Sequence, residues 1–493
     1  MYIHKYQEKE LHKEQKLKIL FIFPLTFMIL GILFSYFDGE TNLTLSSGLK
    51  NILISPSILI TDFLSVGGIG PTFVNVSLIS FYNLYLLKKY KLRINGLILA
   101  AFMTVMGFSF FGKNIFNIIP IYMGGYLYSY HKKIDFKDII VSIMFATALA
   151  PVISEISFSN MLPSKIAILL GIGVGIFIGF IITPLASHMV KFYDGYNIYN
   201  LGFTAGILGT ILTSALKSLD IKIESVNILY LENNLFLILT LVAMFIYLIC
   251  IGISVNKNTL NEYKHIFNYS GRVVTDYTFL MGYGVTFFNM GLMGLLSLSF
   301  VLLIGGVVNG PVIAGIFTVV GFSAFGKHIK NCLPVVLGVI VTALFLGRDI
   351  SSTGVIITVL FSTTLATVRK QNDVIEAQKN EINHKQEVIN GLTDDIDVYK
   401  KKDVINRICR RRSGNYANRY KELYKCFKEN FHVDLEARCE GYNLKQVKQK
   451  DKLSVIKYAE LFGYIDDLYS CCTKLFEAEI DEVLDQINTI HSK

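Results

Sequence analysis

The sequence predicts an all-α fold: a polytopic helical membrane protein of about twelve spans, built from an inverted internal repeat and followed by a helical cytosolic tail. Three observations predict it. The 493 residues are 52% hydrophobic and only 17% charged, with a mean hydropathy of +0.47. The charge is segregated, with apolar runs over residues 17–367 and a stretch rich in Lys, Arg, Asp and Glu over 369–493. The apolar part also contains itself twice: GFSFFGKNIFNIIPIYMG over Gly107–Gly124 and GFSAFGKHIKNCLPVVLG over Gly321–Gly338 agree at 10 of 18 positions.

An apolar run of about 18 residues is long enough to cross a bilayer. Such runs centre near residues 27, 79, 103, 122, 144, 177, 208, 244, 294, 317, 338 and 359. The first is long and has no small-residue cleavage pattern after it, so it reads as an anchor and not a signal peptide. Residues 48–60, with Pro56 among them, read as an interfacial or re-entrant piece. The repeat offset of 214 also pairs Thr61-Asp62 with Thr275-Asp276, Thr72 and Asn75 with Thr286 and Asn289, and Asn95-Gly96 with Asn309-Gly310. A repeat of this length inside a membrane protein marks a duplicated, transporter-like design. The divisions are therefore 1–230 for the first copy, 231–367 for a truncated second copy, 368–399 for a linker helix, and 400–493 for a small helical module.

Lys and Arg in short loops set orientation. The N-terminal arm carries Lys5, Lys9, Lys13, Lys16 and Lys18 and is placed in the cytosol. The loops at Lys88–Arg93 and Lys132–Lys137 then also fall inside. Their counterparts in the second copy, Gly305–Asn309 and Arg348-Asp349, have lost most of that charge, whereas Lys113, outside in the first copy, matches an inside Lys327-His328-Ile329-Lys330. The bias flips between copies, as inversion requires. Both termini are expected at the cytoplasmic face of a bacterial inner membrane. The net charge of +9 is read as positive-inside loops, and no nucleic-acid partner is expected.

Inverted repeats place sites at their interface, often on broken helices. The polar residues present in both copies are the candidates for a pathway: Asp62, Thr72, Asn75, Lys113 and Asn117, with Asp276, Thr286, Asn289, Lys327 and Asn331. A buried carboxylate beside hydroxyls and amides suits a cation or proton; equally, each Asp caps a helix. Each Lys suits an anionic solute; equally, it snorkels to the headgroups. Pro120 and Pro334 suit a discontinuous helix. The tandem spacing of Gly171, Gly175 and Gly179, repeated by Gly202 and Gly206, suits close helix packing. The polar and aromatic run at 196–203 suits a pore mouth or an interfacial tyrosine belt.

No phosphate loop, nucleophile elbow or metal cluster is seen, so neither an enzyme nor an ATP-driven pump is expected, and no cofactor or metal. Seven cysteines without paired ligand spacing read as reduced thiols. In the tail, Ile375, Ile382, Ile389 and Ile396 recur every seven residues, which fits a short coiled coil or one amphipathic helix. Arg410-Arg411-Arg412 reads as a lipid-facing, nucleic-acid-facing or merely solvated basic stretch.

Two resemblances follow. The strings GPTFVN, ING, GFSFFGKNIFNIIP, DGYNIYNLGFTAG, VTFFN, VNGPVIAG and GFSAFGKHIKNCLP resemble a bacterial family of duplicated integral membrane proteins known only as a domain of unknown function. The resemblance implies a multi-span membrane protein and carries over no functional residue. INRICRRRSGNYANRYKELYKCFKENF and YNLKQVKQKDKLSVIKYAELFGYIDDLY are similar to C-terminal modules of phage antirepressor-type regulators, implying a prophage-linked fusion. The expected function is that of a secondary transporter or channel for a small solute or ion, with the lipid bilayer as partner and self-association through the tail. The alternatives are a membrane-anchored scaffold and a non-functional fusion remnant.

Overall fold

The computed structural model describes residues 13–37, 44–56, 61–159, 163–189, 200–218, 228–269, 275–363, 398–410, 416–444, 446 and 449–476. The heptad isoleucines, residues 196–199 and Arg411-Arg412 lie outside these residues. The chain divides into two compact units, Met1–Asn372 and Asp373–Lys493.

All twelve apolar segments expected from the sequence are helical. In the first copy they are α1 (Lys13–Phe37), α4 (Ile69–Lys89), α5 (Gly96–Phe108), α6 (Ile115–Lys132), α7 (Phe136–Ala146) continued by α8 (Ala150–Phe158), α9 (Ser164–Met189) and α10 (Asn200–Ser218). Two short helices, α2 (Leu45–Ile54) and α3 (Phe63–Gly67), lie between α1 and α4. The second copy holds α11 (Leu235–Val255), α12 (Thr259–Tyr263), α13 (Tyr277–Leu280), α14 (Gly282–Leu303), α15 (Gly310–Phe322), α16 (Ile329–Phe345) and α17 (Thr353–Ser362). Five stretches among the described residues are long and apolar enough to cross a membrane: Glu14–Tyr36, Phe136–Phe158, Ser164–Ala186, Leu235–Val255 and Gly282–Leu303. Others, including α5, α15, α16 and α17, have 10–17 residues, short of the ~20 a straight crossing needs. Helix length therefore does not carry the count of about twelve.

The duplication is written into the backbone. In the first unit the described residues with left-handed φ are Gly68, Lys91, Gly112 and Lys133, and Gly282, Gly305, Gly326 and Gly347. Each residue of the first set stands 214 positions before its counterpart in the second. Two of the four turns thus use glycine in the second copy and lysine in the first. A left-handed lysine costs about 1–2 kcal/mol, and glycine avoids that cost. The first copy keeps its loop charges against the backbone's preference. The register does slip at the outermost helix. Gly31 meets the carbonyl of Gly70 in the first copy and Gly252 that of Gly284 in the second, so here the equivalent residues are 221 apart. The seven extra residues are about two helical turns.

The copies meet at α5 and α15, both wholly buried except at the ends. Gly107 packs on Ala314 and Phe317, and Gly321 packs on Ala100 and Met103. Gly96, which opens α5, approaches the carbonyl of Ala324 just beyond α15, and Gly310, which opens α15, approaches that of Phe110 just beyond α5. The two helices therefore run antiparallel, and every contact has its counterpart in the other copy. A glycine is required at each crossing, because a Cβ at Gly96 or Gly310 would lie 2.5 or 2.7 Å from a backbone oxygen.

Beyond this core the copies differ. In the first, α9 covers α6: Gly179 faces the carbonyl of Ile121, Gly124 that of Ile176, and Gly175 packs on Pro120 and Ile153. That is the close packing expected of the glycine run. Gly206 does not share it, since nothing lies within 4 Å of its Cβ position. In the second copy no described helix covers the equivalent face of α16, and Leu333, Leu337, Val341 and Leu344 are exposed.

The second unit has its own core. Five helices, α18 (Val398–Arg410), α19 (Tyr416–Phe431), α20 (Leu435–Leu444), α21 (Val455–Leu461) and α22 (Ile465–Leu475), close around Ile405, Ile408, Leu423, Phe427, Leu435, Ala459, Leu468 and Tyr469. Cys409, Cys439, Cys471 and Cys472 are buried there as free thiols. Asp434 caps α20 through the Ala437 N–H at 3.0 Å. That N–H, and then Lys428, hold its carboxyl below the usual range. A depressed carboxyl stabilises the fold above its unfolded pKa and loses that contribution as pH falls through the folded one. Asp434→Ala should therefore lower the melting temperature of the isolated tail at pH 7, and by less as the pH falls through the carboxyl's folded range, measured by circular dichroism; a shift that does not diminish with falling pH would disprove the capping role.

Candidate functional site

The two copies build the same constellation, and most of its members serve the backbone. Asp62 caps α3 by accepting from Leu64 N–H at 2.9 Å. Its other oxygen accepts from Tyr230 N–H at 3.1 Å and crosses to the second copy, accepting from Gly310 N–H at 3.0 Å. Asp276 caps α13 through Thr278 N–H at 2.9 Å and crosses the other way, to Gly96 N–H at 3.0 Å. Each aspartate thus caps its own copy and binds the first amide of the other copy's central helix. Carboxylates suit that place, because helix N-termini leave amide donors unsatisfied and carry partial positive charge.

Asn75 Nδ2 donates to the carbonyls of Ser109 at 2.9 Å and Lys113 at 2.8 Å. Asn289 Nδ2 repeats this with Ser323 at 2.7 Å and Lys327 at 2.8 Å. Each fastens the turn that leaves the central helix of its own copy. Thr72 and Thr286 bond back to Gly68 and Gly282, at 2.7 and 2.6 Å, the residues where the chain breaks before α4 and α14. Asn117 and Asn331 close capping boxes with Asn114 and His328, and their amides bind Gly112 and Gly326 at 2.8 and 2.9 Å. The structure brings the asparagines to the breaks of their own copies and the aspartates across to the other.

The lysines are different. Lys113 and Lys327 are 1% and 0% exposed. Neither is the loop charge or snorkelling residue that the topology reading allowed; of the lysines at that turn in the second copy, only Lys330 is exposed. The break that buries them falls at Gly112 and Gly326, ahead of the prolines, which lie inside continuous helices. Lys113 Nζ donates to Thr147 Oγ1 at 2.9 Å, and Lys327 Nζ to Thr363 Oγ1 at 2.7 Å. Each threonine is the C-cap of the preceding helix, α7 or α17, and gives its own proton to a carbonyl, of Met144 or Leu360. Each ammonium also lies over a ring, Phe108 at 4.9 Å and Phe322 at 5.4 Å. Those rings reach the other copy in tilted contacts, Phe108 with Phe361 at 5.7 Å and Phe322 with Phe145 at 6.1 Å between centroids.

Three members were not among the expected site residues. Thr147 and Thr363 are visible in sequence only if the repeat is followed past a two-residue shift. Glu155, on α8, is 4% exposed, and neither carboxylate oxygen has a hydrogen-bond partner among the described residues. Its signal was simple: it is the lone glutamate in the apolar stretch Phe136–Phe158, where an ionisable group is costly and marks function. Among the described residues, no group of three or more His, Cys, Asp or Glu side chains is arranged to hold a metal ion.

Apolar helices of spanning length suggest a membrane protein, and two like-built copies around a shared buried core mark it as a duplication. A family model described as a protein of unknown function, DUF1576, matches residues 41–218 and 255–390, one segment over each copy. The chain belongs to this family. The second segment runs past the composition change near residue 368. No curated protein and no solved structure matches the chain.

Proposed function

We propose that this protein is a secondary transporter or channel for a small solute or ion, made of two copies inserted with opposite orientation. One observation carries the reading: the copies join through α5 and α15, two buried 13-residue helices that run antiparallel. Thirteen residues span about 20 Å, against a hydrocarbon core of about 30 Å. Non-helical backbone at membrane depth is tolerated only inside protein or along a cavity, and broken helices at a repeat interface are where transporters hold their cargo. Antiparallel packing of equivalent helices gives a two-fold axis perpendicular to them, hence in the membrane plane. The lysines kept in strained turns at 91 and 133 support the same orientation, with these loops and both termini in the cytosol of the inner membrane.

Two experiments test the reading. Purified protein in liposomes should accelerate uptake of at least one small solute or ion over empty liposomes; a screen with no acceleration across cations, anions and neutral solutes would reject transport. For orientation, Lys133→Cys and Arg348→Cys, each in a chain with Cys250 replaced by serine, should react with an impermeant maleimide from opposite sides. Labelling from one side would reject inversion.

The pathway on this reading runs past the lysine pair and Glu155, while Asp62, Asp276, Asn75 and Asn289 shape the breaks. Glu155 is proposed as the proton- or cation-carrying group. Glu155→Gln should raise the melting temperature, since an unpartnered buried carboxylate is removed, while abolishing any proton-coupled component of flux. Unchanged coupling would leave Glu155 structural. A tail with its own closed core favours a second role, holding a protein partner or another tail at the cytosolic face, consistent with its likeness to phage regulator modules. Deleting residues 373–493 should leave flux intact and remove a complex that the full chain forms; lost flux from a well-inserted truncated protein, or a full chain that forms no complex, would contradict that division.

A further inference from the structure

We propose that Lys113 and Lys327 form two equivalent binding sites, one per copy, for a compact monovalent anion. The inference rests on the transporter reading only for its purpose; the sites themselves stand on the geometry. An ammonium has three donors. Each lysine uses one, on a threonine oxygen whose proton is already committed to a carbonyl. Among the described residues neither lysine has a carboxylate partner. A buried ion without a counter-charge costs several kcal/mol, and the protein repeats the arrangement at both corresponding positions. The rings offset part of that cost: a ring face lies beneath each Nζ, and aromatic faces attract cations. Thr363 caps the C-terminus of α17, which adds some negative potential, whereas Thr147 lies where α7 continues into α8. Two N–H groups of each ammonium are left without an acceptor among the described residues. The lysines also directly precede the N-caps of α6 and α16, so the nearest chain adds positive, not negative, potential. A chloride, or a small carboxylate such as formate, supplies what is missing.

The test is binding stoichiometry on the full chain purified in detergent. With radiolabelled chloride in sodium gluconate buffer, the wild type should bind two anions per chain, Lys113→Met and Lys327→Met one each, and the double variant none. Formate should compete. Lys113→Arg with Lys327→Arg keeps the cations and should retain two sites, which separates loss of charge from loss of fold if the methionine variants are poorly behaved. No binding to wild type, or two anions still bound by a folded double methionine variant, would overturn the proposal. Flux in liposomes separates the two readings: anion binding without flux of any solute rejects transport and leaves the sites, whereas flux without anion binding rejects the sites and leaves transport.

Discussion

Gly179→Ala and Gly124→Ala will each destabilise the first copy by about 3 kcal/mol, whereas Gly338→Ala will be neutral or stabilising by up to about 1 kcal/mol. Gly124 and Gly338 are the same position in the two copies. At Gly124 a Cβ would lie 2.0 Å from the carbonyl oxygen of Ile176, and at Gly179 2.0 Å from that of Ile121. Both obstacles are helix backbone, which cannot rotate aside as a side chain would, so α6 and α9 must part along their whole contact. At Gly338 nothing lies within 4 Å, because no described helix covers α16 there. Alanine then only removes the entropic cost of a helical glycine. Thermal unfolding of the three variants in one detergent gives the comparison directly. If Gly338→Ala costs as much as Gly124→Ala, then α16 is covered in solution by a partner that the single chain does not show.

How far the sequence disclosed this fold differs from residue to residue. The twelve helical segments, the repeat and the glycine packing were legible because apolar period and self-similarity are local properties. The two-residue shift that brings Thr363 to the place of Thr147 was legible as well. The span count was not, because α5 and α15 are as apolar as their neighbours but have 13 residues against 17–22 in the helices around them; only the break at Gly112 and Gly326 reveals it, and a glycine in a glycine-rich chain is a weak signal. The lysines misled for a related reason. A Lys beside an apolar segment most often ends a span, and the threonine that receives each one comes from a different helix, 34 and 36 residues away. The crossed aspartates were beyond reach, since their partners are backbone amides 248 and 180 residues distant and an amide leaves no mark in a sequence. Glu155 has no acidic counterpart in the second copy, so self-similarity does not point to it.

Asp62→Asn should destabilise the protein nearly as much as Asp62→Ala, on the order of 4 kcal/mol, and the damage should appear in the other copy. The carboxylate is fully buried and acts purely as an acceptor: one oxygen serves Leu64 N–H, the other Gly310 and Tyr230 N–H. Each buried donor left without an acceptor costs about 1–3 kcal/mol. Asparagine keeps the shape but turns one oxygen into an amine, so in either rotamer a donor faces a donor. It also removes the negative charge from the N-terminus of α15. Asp276 is half-buried, so water reaches part of what its loss exposes, and Asp276→Asn should cost roughly half as much. The location of the effect decides between a local cap and a bond between copies. Hydrogen exchange in Asp62→Asn should lose protection in the first turn of α15, more than 240 residues from the substitution, and in Asp276→Asn in the first turn of α5. If protection falls only in α3 or α13, the aspartates are ordinary caps and the crossing bonds hold nothing. If it falls at the far helix in each case, the pair of aspartates is what keeps two similar halves locked face to face.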